Sequence, residues 1–520
     1  MTPRFSASAR RLLHVLDAGA ARLFGWRGNP LHQAGTLAVV MLLVLLVTGL
    51  YLVFVYRVGD PAGSVARVAA DPWIGSWMRS LHRYASDLFV VAALAHAVRM
   101  FLQRRSWGPR TLAWLSGVVL VGVGLVCAWT GFVMAWDSFG LRLARAGGRL
   151  LDVVPLFSEP VSRGFAGDAP VTSAFFFVNL FLHILLPLAM GVGLWLHVSR
   201  LARPVLLPPR QITWALVAVL TVVAIALPAP LGPAADPFAL PASTPLNLVT
   251  SWWVPVVERL PAGVAWGAGL LGLALMLAVP RLTRQPREAM AAPSWVDPQL
   301  CTGCNQCPQD CPWDAITMVA RGDDRPTLVA LVDPERCVSC GICAGSCAPM
   351  GVGPPGRTGR DQLGRLREDA TAAPTAPVLI CCDQTPAAAR AVLAARGAAI
   401  RTVPCVGNLH SSVVELLIRA GATGVMVAGC PPRDCVGREG PKWLHARLYL
   451  DREAELQARV DRRRVGTTTL AAGAVGEAVA DWERFVAGLP APDELRPEPL
   501  AQLAVEAICD PPPADAAVTP

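Results

Sequence analysis

Four histidines and thirteen cysteines carry the chemistry open to this sequence. His82 and His96 stand fourteen residues apart in an apolar run, and His183 and His197 repeat the interval in another. Fourteen residues of α-helix make close to four turns and about 21 Å of rise, so both rings of a run leave one face at two depths. Two antiparallel helices, each presenting a histidine near either membrane surface, place the rings in facing pairs: His82 with His183, and His96 with His197. Each pair can hold one haem iron from both axial sides with neutral imidazole, which removes the cost of a lone polar group in lipid. Gly35 and Gly49, and Gly117 and Gly131, keep the same interval at the same two levels, where a missing side chain gives a flat macrocycle room. Arg79 and Arg99 flank the crossing that carries His82 and His96, placed to pair with haem propionates. A single histidine of this kind reads as a core residue in an interhelical hydrogen bond. Four histidines and four glycines on one interval read as two haem b sites. Asp87 has two readings, a proton-path group or an acid facing a polar gap or a neighbouring helix.

The cysteines fall into three sets. "CTGCNQCPQDCP" and "CVSCGICAGSCAP" are each Cys-x2-Cys-x2-Cys-x3-Cys, the bacterial ferredoxin run in which the fourth cysteine completes the other run's cluster. Cys301, Cys304, Cys307 and Cys347 then hold one 4Fe–4S cluster, and Cys337, Cys340, Cys343 and Cys311 a second. The third set, Cys381, Cys382, Cys405, Cys430 and Cys435, sits at strand ends of a βαβ pattern, where an open α/β sheet places its chemistry. Cys405, Cys430 and Cys435 with either Cys381 or Cys382 make a four-thiolate set. Cys127 and Cys509 read as bystanders.

Composition supplies the frame for these residues. Of 520 residues, 53% are hydrophobic and 16% charged, a membrane-protein balance. Thirteen of fifteen cysteines lie between Cys301 and Cys435, in spacings that suit metal clusters in a reducing compartment rather than disulfides. The formal charge of +8 comes from arginines gathered at the ends of apolar runs, which argues against nucleic-acid binding. Residues 1–32 read as a basic amphipathic helix on the membrane surface rather than a secretory signal. Crossings are expected at 33–56, 78–102, 111–136, 173–199, 212–229 and 262–280. Arg104, Arg105 and Arg110, Arg200, Arg203 and Arg210, and Arg281, Arg284 and Arg287 crowd the second, fourth and sixth exits, which puts both termini in the cytoplasm of a bacterial inner membrane protein.

The expected architecture is an all-α membrane bundle of six transmembrane helices with a four-helix dihaem core, then a ferredoxin-like α+β module, then a small α/β open-sheet iron–sulfur domain. Its boundaries are 1–32 for the surface helix, 33–201 for the bundle, 202–287 for two further crossings, 288–360 for the ferredoxin domain, 375–487 for the last domain and 488–520 for a Pro/Ala-rich tail.

Two resemblances extend this reading. The segment from about Asn29 to Pro280, with "WMRSLHRYASDLFVVAALAHAVR", "TGFVMAWD" and "RGFAGDAPVTSAFFFVNLFLHILLPL", resembles the cytochrome b subunit of Rieske/cytochrome b quinol-oxidising complexes. That resemblance implies two stacked b haems, quinone sites near each surface and a dimer. In "TSWWVPVVERLP", Thr250 and Ser251 replace the proline and glutamate of the family's Pro-Glu-Trp-Tyr motif, which removes the expected proton acceptor and weighs against bifurcating quinol oxidation. "GCPPRDC" and "PCVGN" resemble the small iron–sulfur subunit of methyl-viologen-reducing hydrogenases, which implies a 2Fe–2S cluster and a heterodisulfide-reductase-type flavoprotein partner. Thr385 stands where that family has a second Cys-x-x-Cys position.

No Rossmann or P-loop glycine fingerprint, Ser/His/Asp elbow or flavin motif accompanies these sets. The expected function is a membrane-bound electron-transfer subunit. It links a cytoplasmic low-potential donor (ferredoxin, hydrogenase, formate dehydrogenase or heterodisulfide-reductase-like flavoprotein) to the quinone pool. A quinol-oxidising subunit driving a cytoplasmic reductase, and a non-catalytic membrane anchor or relay, are the alternatives.

Overall fold

The structure, a computed structural model, describes residues 3–155, 159–165, 171–199, 205–238, 247–284, 291–369, 376–432, 434–471 and 473–491, with side chains from residue 11. Arg200, Arg203, Arg287, Cys509 and the tail beyond residue 491 lie outside the described residues. The chain divides into two compact units, residues 1–290 with 472–474, and residues 291–471 with 475–520.

The first unit is helical: α1 (Pro3–Gly28), α2 (Pro30–Val55), α3 (Pro61–Ala70), α4 (Gly75–Leu102), α5 (Thr111–Ala135), α6 (Ser138–Leu151), α7 (Ser173–Ser199), α8 (Arg210–Ala226), α9 (Val254–Arg259) and α10 (Ala262–Leu282). Among the described residues five helices, α2, α4, α5, α7 and α10, are long and apolar enough to cross a membrane. The expected fifth crossing is the shorter α8, of 17 residues. At 1.5 Å per residue it rises about 26 Å, and Pro228 and Pro230 just beyond it supply no N–H to continue the ladder. Helices α3 and α6 lie in connections for which the sequence gives no apolar run of crossing length. Helix α6 is amphipathic, and its Arg142 grips Glu258 of α9 through both carboxylate oxygens, at 2.7 and 2.6 Å.

Neighbour contacts set the helix directions. Gly35 of α2 abuts His96 of α4 and Gly49 abuts His82, so α2 and α4 run antiparallel. Phe89 reaches Gly124, and the rings of Phe101 and Trp114 lie 6.4 Å apart, so α4 and α5 are antiparallel too. Gly117 abuts His197 and Gly131 abuts His183, which makes α5 and α7 antiparallel. The two histidine helices, α4 and α7, are therefore parallel. This corrects the antiparallel arrangement expected from the sequence: an odd number of reversals separates neighbouring crossings, and an even number separates the second from the fourth.

Helix α1 is tied to the bundle by a buried ion pair. Asp17 Oδ1 accepts from Arg99 Nη1 at 2.6 Å and from Asn29 Nδ2 at 3.0 Å. Asn29 caps α2, its side chain accepting from Leu31 N and His32 N.

The second unit holds β1 (Trp295–Val296), α11 (Gln306–Asp310), β2 (Ile316–Val319), β3 (Val329–Val332), α12 (Ile342–Gly345), β4 (Val352–Gly353) and α13 (Gly359–Asp369), followed by β5 (Val378–Cys382), α14 (Ala387–Ala394), β6 (Ala399–Val403), α15 (Ser411–Arg419), β7 (Val425–Gly429), α16 (Gly440–Tyr449), β8 (Val465–Thr469) and α17 (Val475–Ala487). Strands β2 and β3 pair antiparallel, as do β1 and β4. The larger sheet is all parallel, in the order β6-β5-β7-β8. Every residue of β5 and β7 is buried, the pattern of central strands covered on both faces. Both cysteine-rich segments lie within the second compact unit.

Burying Arg99 makes its carboxylate partner costly to lose. Asp17→Asn is expected to destabilise the first unit by about 3 kcal/mol. Asp60→Asn, in an exposed pair with Arg67, should cost at most about 1 kcal/mol. Thermal denaturation in detergent, followed by circular dichroism, checks both.

Candidate functional site

In the membrane region each histidine ring lies against a glycine of the adjacent helix. A Cβ at Gly35 would stand 2.8 Å from His96 Nδ1, one at Gly131 2.8 Å from His183 Cε1, and those at Gly49 and Gly117 3.3 Å from His82 and His197. The glycines thus make room for imidazole, and through it for whatever the imidazole holds.

The residue before three of these glycines is a hydroxyl, and it selects the tautomer. Thr48 Oγ1 lies 2.8 Å from His82 Nδ1, Ser116 Oγ 3.0 Å from His197 Nδ1, and Thr130 Oγ1 2.9 Å from His183 Nδ1. Each hydroxyl donates its proton to a carbonyl of its own helix: Val44 O for Thr48, Leu112 O for Ser116 and Cys127 O for Thr130, at 2.7, 2.8 and 2.8 Å. Its oxygen is left to accept from the ring, so Nδ1 carries the hydrogen and Nε2 keeps the lone pair. The carbonyl of Cys127, 3.0 Å from His183 Nδ1, enforces the same choice. The support comes from the backbone at Cys127, whose thiol lies 3.7 Å from the same Nδ1.

His82 and His183 face one another with ring centroids 6.3 Å apart. A metal midway would lie about 3 Å from each centroid, which is what a metal–nitrogen bond of about 2 Å leaves. The residues present suit a bis-imidazole haem at this level. His96 and His197 are held against their glycines in the same way at the other level.

The flanking arginines have partners within the protein: Arg99 binds Asp17, and Arg79 donates to the Ala229 carbonyl with its Nε buried and without a hydrogen-bond partner. Asp87 pairs with Arg83 at 2.7 Å and accepts from Asn247 Nδ2 at 2.9 and 3.0 Å, which places it against a neighbouring segment. Asn247 Oδ1 in turn accepts from the Val249 and Thr250 backbone, and the buried hydroxyls of Thr250 and Ser251 have no hydrogen-bond partner.

In the second unit, Cys311, Cys337, Cys340 and Cys343 line one cavity together with Trp313, Ile316 and Ile342, the set in which the first run lends its fourth cysteine to the second. Backbone N–H groups point at the sulfurs, Ser294 N and Ala315 N at Cys337 and Cys311, and Gly351 N at Cys347. Gly341 has φ +77, and a Cβ there would strike Asn408, so the second run can turn only on glycine. Cys307 lies within electrostatic reach of Cys343 of the other set as well as of Cys347, Cys304 and Cys301. Burial pushes Cys343 up to about 12 and Cys347 up to about 11, so a bound cation is needed to hold thiolates there at neutral pH.

Among the last five cysteines, Cys382, Cys405, Cys430 and Cys435 interact through their thiols. The hydrogen bond with Cys382, then burial, raises Cys405 to about 11. Cys381 does not join them. Successive strand residues point to opposite faces, and Cys381 packs among Leu379, Met426 and Trp482 while Cys382 faces Val406 and Leu444. Among the described residues no three His, Cys, Asp or Glu side chains converge on a point suited to a single metal ion. The four-thiolate donor sets, free of carboxylate and imidazole, fit iron–sulfur clusters by their chemistry.

Sequence reasoning misses the hydroxyls of Thr48, Ser116 and Thr130, although a hydroxyl directly before a glycine of the fourteen-residue series is a readable signal. It also misses Arg447, Asp310 and Asn408, whose roles depend on chain segments that meet only in three dimensions. If Cys382 rather than Cys381 is the fourth ligand, Cys382→Ser should lower iron and acid-labile sulfide by one cluster per chain, and Cys381→Ser should leave both at wild-type levels.

Three family models match the chain, each over its own segment. Residues 29–205 match the family model Cytochrome b/b6/petB, residues 300–351 a 4Fe-4S dicluster domain, and residues 378–491 the methyl-viologen-reducing hydrogenase, delta subunit. A solved structure titled "Hyperthermophilic respiratory Complex III" aligns over 48% of this chain and 75% of its own at 17% identity, with a TM-score of 0.38. One chain thus joins a segment similar to cytochrome b, a segment similar to a 4Fe-4S dicluster domain and a segment similar to the hydrogenase delta subunit, which makes it a multi-pass membrane protein of redox electron transfer.

Proposed function

We propose that this chain passes electrons between a cytoplasmic low-potential donor and the membrane quinone pool. The observation that carries this reading is the His82/His183 pair, two imidazoles 6.3 Å apart with Nδ1 engaged by the neighbouring helix. His82 with His183 and His96 with His197 hold two b haems. Cys301, Cys304, Cys307 and Cys347, and Cys337, Cys340, Cys343 and Cys311, hold two 4Fe–4S clusters. Cys382, Cys405, Cys430 and Cys435 hold a 2Fe–2S cluster. When bound, these groups supply one-electron carriers, and the chain's own residues supply position, tautomer and dielectric.

The remaining elements follow from the same reading. Both termini and the iron–sulfur unit lie in the cytoplasm of a bacterial inner membrane protein, with α8 as its sixth crossing. The donor is a ferredoxin, hydrogenase, formate dehydrogenase or heterodisulfide-reductase-like flavoprotein within a larger redox complex. The orphaned hydroxyls of Thr250 and Ser251, beside Asn247 and Asp87, offer hydrogen bonds to a quinone head group.

The test is spectroscopic. Purified protein reduced with dithionite is expected to show bis-imidazole b-type bands from two haems per chain, and reduced ferredoxin to support quinone reduction. His183→Ala should lose one of the two haems. Gly131→Val should do the same by displacing the ring, while Gly122→Val, at a position with open space around it, should keep both. Wild-type protein without b-type bands defeats the proposal, and haem reduction by quinol but not by reduced ferredoxin reverses its direction.

A further inference from the structure

Arg447 of α16 is wholly buried, and it lies between two of the cysteine sets. Its Nη1 donates to Ser346 Oγ at 2.9 Å, and its Nη2 to the carbonyls of Gly407 at 2.9 Å and Leu409 at 3.4 Å. Ser346 precedes Cys347, and Gly407 follows Cys405 by two residues. One guanidinium therefore braces the backbone beside a ligand of the first 4Fe–4S set and beside a ligand of the last set. The approach depends on small residues, since a Cβ at Gly345 would stand 2.6 Å from Arg447 Nη2, and one at Gly440 2.7 Å from Cys405 Sγ.

The charges of this network do not cancel. Its carboxylate is Asp310, wholly buried between Cys307 and Cys311, which accepts from Ser346 Oγ at 2.6 Å and from Arg452 Nη2 at 2.5 Å. Arg447 and Arg452 against Asp310 leave one positive charge in excess. His410 packs beside this network, its Nε2 3.2 Å from the Cys347 carbonyl, and carries no negative charge. Burial lowers Arg447 to about 10, which leaves it charged at neutral pH. Its Nε has no hydrogen-bond partner. A buried cation in excess is unstable unless an anion answers it. A cluster held by four thiolates is a net anion, and reduction makes it more so.

We propose that Arg447 is an electrostatic tuning residue whose positive charge stabilises the reduced form of the cluster at Cys347 and of the cluster at Cys405, raising both reduction potentials. This rests on the reading of those cysteines as cluster ligands. The positive charge acts on the electron through space, and Ser346 and Gly407 fix its distance from each cage.

Full-length protein, purified in detergent, is assayed for iron and acid-labile sulfide and titrated potentiometrically by electron paramagnetic resonance, with the haems followed optically. Arg447→Met is expected to shift both cluster potentials to more negative values and leave the haem midpoints unmoved. Arg447→Lys, which keeps the charge, should retain most of the wild-type potentials. Asp310→Asn, which removes the opposing charge, should shift the neighbouring 4Fe–4S potential positive. Unmoved potentials in Arg447→Met at wild-type iron content overturn the proposal, as does an Arg447→Lys shift as large as that of Arg447→Met. If Arg447→Met does not assemble its iron, Asp310→Asn decides, and a potential unmoved or shifted negative there overturns the proposal. Absence of iron and sulfide from wild-type protein overturns the cluster reading itself.

Discussion

An imidazole binds a metal only through a nitrogen that has kept its lone pair, and the membrane bundle is organised around deciding which nitrogen that is. At His82, His183 and His197 the decision is made one helix away, by a hydroxyl that has already given its proton to its own backbone. The glycine that follows the hydroxyl lets the ring come close enough to be bound, and the next helix must pack within a few tenths of an ångström for that contact to exist. Helix pairing, ring tautomer and metal affinity are thus one constraint. In lipid the alternative is an unsatisfied polar group, so the same hydrogen bonds that prepare the ligand also stabilise the fold.

The iron–sulfur unit meets the opposite difficulty. Thiols buried as Cys343, Cys347 and Cys405 are buried resist ionisation, so cage formation and metal binding are coupled. Backbone N–H groups aimed at Cys311, Cys337 and Cys347 and the excess positive charge at Arg447 lower the cost of the resulting anion. The parallel sheet contributes by geometry, since Cys382 ends β5, Cys405 follows β6 and Cys430 follows β7, which gathers them at the carboxyl ends of adjacent strands.

Much of this was legible in the sequence because it is periodic. The fourteen-residue interval placed four glycines against four histidines, and the cysteine runs brought Cys311, Cys337, Cys340 and Cys343 to one cavity. The βαβ pattern placed three strands, but β8 and α16 escaped it, because "VGTTT" and "GPKWLHARLY" lack a strong period of their own and are held by tertiary packing. The relative direction of the histidine helices is not legible in this way, since spacing within a helix says nothing of the number of reversals between two helices. The choice between Cys381 and Cys382 needed the face of β5, and adjacent cysteines always offer both. Arg447 was invisible, because a buried arginine in an amphipathic stretch looks like a solvated one until Ser346 and Gly407 are brought to it.

The end of the bundle that carries His82 and His183 bears on the proposed direction of electron flow. Quinol oxidation requires a base to take the proton, and the motif segment offers hydroxyls at Thr250 and Ser251 instead. The nearest carboxylate along the chain, Glu258, is gripped through both oxygens by Arg142, which holds it below the usual carboxylate range and makes it a poor base. Asp87 is engaged by Arg83 and Asn247. Hydroxyls can hold a head group without taking its proton, and the proposed low-potential clusters are suited to donate electrons. The arrangement of acids and hydroxyls thus supports the proposed delivery to quinone rather than withdrawal from quinol.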